Sequence, residues 1–182
     1  RARAPRLNRE VAVKLIQASQ LGAETKQRFQ REAQLVAQMD HPSIVPIYDF
    51  GKHEGSLFFV MPVVQGTNLR GFLREQALTL GEVIDIGVQV AEALDYSHTR
   101  DVVHRDIKPE NIMVSREEAG RVRVRIMDFG LARAAAESRI TKTGTIAGTL
   151  AYMSPEQVAS ASGVDHRSDI YSLGTVLYEC LT

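Results

Sequence analysis

The sequence predicts an α+β fold in two lobes, a small β-rich lobe with one helix followed by a mostly helical lobe. Strand-type alternation is concentrated before residue 62, the long apolar-periodic segments lie beyond residue 80, and Pro62 to Gly66 breaks the pattern between them. The expected division is therefore 1–64 for the first lobe with its connector and 65–182 for the second.

Taking the elements in order, Val11 to Ile16 alternates as a strand does, so Lys14 shares a face with Ala12 and Ile16. Between Thr25 and Met39, the positions Phe29, Ala33, Val36 and Met39 keep helical spacing, and Glu32 falls on the same inward stripe. An inward carboxylate needs a partner, and Lys14 is the expected one. His41-Pro42 stops this helix; Ile44 to Phe50 and Leu57 to Met61 then read as strands. Asn68 to Glu75 is expected to be a short helix capped by Thr67 or Asn68, and Glu82 to Arg100 a long, largely buried one. Strands are expected at Asn111 to Val114 and Val122 to Met127, the second alternating Val122, Val124 and Ile126 with Arg121, Arg123 and Arg125. Residues 131–154 lack periodicity and read as a long functional loop. Asp169 to Leu181 is apolar nearly all round, as a central buried helix would be.

Composition narrows the function classes. With 44% hydrophobic and 24% charged residues the chain is ordinary for a globular protein. Its 22 basic and 22 acidic residues leave no net charge to attract nucleic acid or anionic membrane, so the arginine-bearing strand reads as a solvated face. Cys180 is the only cysteine, which excludes an internal disulfide and points to a reducing compartment. No run reaches eighteen apolar residues.

The chemistry lies in two strings. Residues 104 to 111 read His-Arg-Asp-Ile-Lys-Pro-Glu-Asn, and Asp128-Phe129-Gly130 begins seventeen residues after Asn111. They place a proton acceptor, a phosphate-seeking cation and two metal-seeking oxygen donors on neighbouring loops. With Val11-Ala12-Val13-Lys14 before them and Tyr171-Ser172-Leu173-Gly174 after, the chain resembles a eukaryotic-type serine/threonine protein kinase catalytic domain, in wording most like its bacterial members.

The resemblance implies a two-lobe protein-kinase-like fold and transfer of the γ-phosphate of ATP to Ser or Thr hydroxyls, with Mg²⁺ or Mn²⁺. Asp106 would be the catalytic base and Lys108 would steady the transferring group. Lys14, oriented by Glu32, would hold the α- and β-phosphates. Asn111 and Asp128 would hold the metal, and Thr149 would touch Asp106 and Lys108. Ala12 and Met113 would sandwich the adenine beside the gatekeeper Met61. Pro62, which lacks an N–H but keeps its carbonyl, and Val64 would meet the adenine edge. Arg105 implies control by phosphate on the loop threonines Thr141, Thr143 or Thr145. His104 and Phe129 would be packing residues, stacked with Val36 and Ile47. Ser154-Pro155-Glu156 stands where the family has Ala-Pro-Glu.

No Gly-x-Gly-x-x-Gly precedes Lys14, and the chain stops inside an apolar helix at Thr182. The expectation is a kinase-like fold truncated at both ends, poorly active as a piece. Partners implied are protein substrates with Ser/Thr acceptors and a second kinase copy for trans-autophosphorylation, with no nucleic acid. The implied location is a cytoplasmic kinase domain in a protein tethered to the membrane by a segment outside this chain. The competing reading is a pseudokinase-like scaffold, whose mark would be a lost base or metal residue; neither is lost here.

Overall fold

The computed structural model describes residues 2–4, 9–17, 31–117, 120–129, 150–159 and 164–182. Strands β1 (Ala2–Ala4), β2 (Arg9–Gln17), β3 (Asp49–His53) and β4 (Ser56–Pro62) form an antiparallel sheet in the order β1-β2-β4-β3. The β3–β4 hairpin closes over Glu54 and Gly55, both at positive φ (45° and 76°), the twist that two-residue hairpin turns favour. In β2 the Ala12, Lys14 and Ile16 face turns inward while Val13 and Leu15 are exposed. Helix α1 (31–37) lies beneath this sheet and sends Ala33 into a core with Ile16, Val45, Leu57, Phe59 and Met61.

The strand expected over Ile44 to Phe50 is shorter and starts later, at Asp49. Pro46 has no N–H to give a ladder, and the chain before it pairs elsewhere. The Val45 N–H donates to Ile126 O (2.9 Å) and the Ile126 N–H to Ser43 O (2.8 Å), giving a one-residue parallel bridge at Ile44.

The second sheet is β5 (Thr67–Asn68), β6 (Ile112–Arg116) and β7 (Val122–Ile126) in that order. On β7, Val122, Val124 and Ile126 are buried. Arg121 and Arg123 are exposed, Arg123 pairing with Glu117 at 2.6 Å, so the basic stripe is the solvated face the charge balance implied.

Helix α2 (Leu69–Glu75) is capped by Asn68, whose Oδ1 accepts from the Gly71 N–H at 2.8 Å. Helix α3 (Leu80–His98) starts two residues earlier than its apolar pattern suggested. Thr79 and Glu82 form a reciprocal capping box there, a Thr-x-x-Glu signal present in the sequence. Short α4 (Pro155–Ala159) and α5 (Arg167–Leu181) complete the described chain. The larger core gathers Val36, Met39 and Ile44 with Leu69, Ile86, Val90, Leu94, Ile107, Ile112, Ile126, Phe129 and Val176.

α5 is not buried all round. Ser172, Leu173, Val176 and Cys180 face inward, whereas Ile170, Tyr171, Tyr178 and Leu181 are exposed, because the described residues cover one side of it. Burial pushes the Cys180 thiol pKa up, opposed by nearby Arg70. No described helix is long and apolar enough to cross a membrane.

Candidate active site

The segment between α3 and β6 has little regular structure, and side chains hold it in place. His104 is fully buried, its ring edge-on to Phe129 at 4.6 Å between centroids, confirming both as packing groups; Val36 and Ile47 belong to the same core. His104 Nε2 lies 2.8 Å from Met127 O, and the Asp106 N–H donates to His104 Nδ1 at 3.2 Å. The two contacts together fix the hydrogen on Nε2 and leave Nδ1 as acceptor. From this fully buried position the histidine holds the backbone under Asp106.

The Asp106 carboxylate is held on two sides. Lys108 Nζ donates to both of its oxygens at 2.8 Å, and Asn111 Nδ2 donates to its Oδ2 at 2.9 Å and to the Asp106 carbonyl at 2.7 Å. A short 3₁₀ turn, Pro109–Asn111, allows Asn111 to reach back in this way. Because both contacts use its NH₂, the Asn111 amide oxygen remains the acceptor. The Met127 N–H donates to Asn111 O at 2.9 Å, which sets Asp128 beside this cluster.

Asp128 sits at φ 66° and its Oδ2 is 2.5 Å from Lys14 Nζ. The pairing of Lys14 with Glu32 expected from the sequence is therefore replaced: Lys14 joins Asp128, and Glu32 Oε1 lies 3.7 Å from the Arg105 guanidinium. Spacing put lysine and glutamate on facing inward surfaces, but other opposite charges lie on those surfaces too, and the fold selects among them.

Among the described residues no three His, Cys, Asp or Glu side chains cluster as a metal cage. The donors present are the Asp128 carboxylate and the Asn111 amide oxygen. That sparse oxygen set suits a hard divalent cation such as Mg²⁺ or Mn²⁺, whose shell water and phosphate oxygens can complete.

For the residues expected to meet adenine, the β2–β4 register sets Ala12 opposite Met61, at the start of the Pro62–Val64 connector, with Lys14 two residues along the same face. Ala12 and Val64 pack partly against the smaller core, Met61 lies within it, and Met113 is half-buried on β6. Thr141, Thr143, Thr145 and Thr149 lie outside the described residues.

Two further residues, distant in sequence, bond to the backbone of this segment. Asp169, fully buried at the start of α5, accepts from the His104 N–H (2.8 Å) and the Arg105 N–H (2.7 Å), and its Oδ2 lies 2.8 Å from His98 Nε2. Gln157 on α4 donates through Nε2 to Arg105 O at 2.9 Å. Neither contact has a local sequence signal, since the partners are 64, 65 and 52 residues away. A third cluster joins Arg70 to Glu110, Tyr152 and Glu179. Desolvation works against the Arg70 charge, yet bonds from Glu110 and Tyr152 outweigh it and raise its pKa.

The protein kinase domain family matches residues 1–182. Serine/threonine-protein kinase PknJ of Mycobacterium tuberculosis is 43% identical over 183 residues, covering all of this chain and 31% of that protein. Serine/threonine-protein kinase PknB of Mycobacterium leprae is 45% identical over 189 residues, covering all of this chain and 29% of that protein. The crystal structure of the Mycobacterium tuberculosis PknI kinase domain superposes with a TM-score of 0.73 at 31% identity, over 93% of this chain and 62% of that one. The chain thus spans about a third of the length of the curated relatives it matches.

Proposed function

The chain belongs to the protein kinase domain family, and from that premise we propose that the whole protein is an ATP-dependent serine/threonine kinase. The observation that carries this reading is the Asp106 carboxylate held by Lys108 and Asn111, one hydrogen-bonded step from the Asp128–Lys14 pair. Asp106 takes the proton of the acceptor hydroxyl as its oxygen bonds to the γ-phosphorus, the bridging P–O bond breaks, and ADP departs with the electron pair. Lys108 supplies positive charge beside the phosphoryl oxygens as charge develops there. Lys14 serves the α- and β-phosphates, and Asp128 with Asn111 holds the divalent ion, Mg²⁺ or Mn²⁺, both of which accept an all-oxygen donor set. The ion supplies charge neutralisation of the triphosphate when bound.

Protein Ser/Thr side chains are the acceptors. Arg105, 3.7 Å from Glu32, is the guanidinium that a phosphorylated threonine among Thr141, Thr143 and Thr145 would engage, placed there by a second kinase copy.

The test is phosphate transfer from radiolabelled ATP by the whole protein and its Asp106→Asn variant. Removing the base should lower kcat by roughly 10²–10⁴-fold while ATP still binds. Equal rates would leave the scaffold reading standing.

A further inference from the structure

Arg105 adopts φ 64°, a left-handed conformation that costs a non-glycine residue and persists only where its surroundings over-determine it. Here both peptide groups flanking its Cα are held. Its N–H donates to Asp169 Oδ1 at 2.7 Å, and its carbonyl accepts from Gln157 Nε2 at 2.9 Å. The carbonyl belongs to the same peptide unit as the Asp106 N–H, so whatever fixes it also fixes where the Asp106 side chain begins.

Gln157 is also at the third position of a Ser-Pro-Glu-Gln helix start. Its Oε1 accepts from the Ser154 N–H (3.0 Å) and lies 3.3 Å from Ser154 Oγ. That is half of a capping box, a duty glutamate performs as well as glutamine. Only the amide adds a donor, and that donor reaches across to the catalytic loop.

We infer that Gln157 is a positioning residue for phosphoryl transfer: its side-chain amide ties the start of α4 to the Arg105 carbonyl and so aims Asp106. The inference rests on the kinase reading above. It predicts a specific asymmetry, because Glu keeps the cap acceptor but sets an anionic oxygen against the carbonyl, while Met keeps the length and loses both bonds.

The experiment compares whole-protein wild type, Gln157→Glu and Gln157→Met, measuring kcat and KM for ATP with a Ser/Thr acceptor protein, together with thermal midpoints. Both variants should lose about tenfold in kcat with KM for ATP within about twofold of wild type, and Gln157→Glu, which keeps the cap bond to Ser154, should lose less thermal midpoint than Gln157→Met. Wild-type kcat in Gln157→Glu, with loss confined to Gln157→Met, would reduce Gln157 to a helix cap and overturn the inference. So would a loss in either variant expressed only as a raised KM for ATP. Absence of transfer by the wild-type protein would instead remove the kinase reading, and this inference with it.

Discussion

Replacing Asp169 with alanine removes one carboxylate and three contacts at once. Two of these are backbone N–H groups, of His104 and Arg105, bonded at 2.8 and 2.7 Å beneath a side chain with no solvent exposure. A buried donor stripped of its acceptor costs about 1–3 kcal/mol, so the pair alone gives about 2–6 kcal/mol, and His98 loses its partner as well. A central expectation of about 3–5 kcal/mol is a large share of the 5–15 kcal/mol that typically holds a domain folded, and corresponds to a fall in Tm of about 6–20 °C. Urea unfolding of the complete kinase domain followed by circular dichroism, wild type against Asp169→Ala, measures it. Asp169→Asn, which keeps one acceptor oxygen, should fall between them. A loss below about 1 kcal/mol with an unchanged m-value would refute the claim that this carboxylate holds the catalytic loop.

Gly66 at φ 106° has no room for a side chain, since a Cβ there would lie 2.2 Å from the Val114 carbonyl oxygen. Gly66→Ala should therefore destabilise by about 2–4 kcal/mol, overpacking and left-handed strain acting together, as read by the same unfolding assay. Glu82 has its pKa lowered by the Thr79 backbone N–H, by Arg116 and by the Thr79 hydroxyl. A carboxylate with a depressed folded pKa stabilises the fold above its unfolded value near 4.3, and that contribution fades as pH falls through the folded value. Wild type should thus exceed Glu82→Gln in thermal midpoint at pH 6, with the gap closing toward pH 3; a constant gap would show that the charge is irrelevant.

Much of the site could be read before any coordinates. Asp106, Lys108 and Asn111 are recognisable because they share one eight-residue string, and Asp128 because its Asp-Phe-Gly follows seventeen residues later; their roles came with the resemblance that these strings carry. The start of α2 is equally legible, as the Asn68 cap acts within one turn; for α3 the apolar pattern points to Glu82, and the Thr79-x-x-Glu82 box is the local signal that moves the start to Leu80. The late start of β3 was less so: Ile44 and Val45 look like strand residues, and only the approach of Ile126 reveals a one-residue bridge in place of a ladder. The extent of burial of α5 was misread for a related reason, because apolar residues on every side of a helix do not say which side has a partner.

The residue types proposed for the reaction and the order in which they occur are determined by the sequence alone, since identity and short-range spacing need no folding to be seen. Which charges meet was decided by the tertiary structure: Lys14 with Asp128, Glu32 with Arg105, Asp169 and Gln157 with the two ends of one strained residue. Coulombic and hydrogen-bonding energies depend on separations of a few ångströms. Residues dozens of positions apart acquire those separations only when the chain has packed.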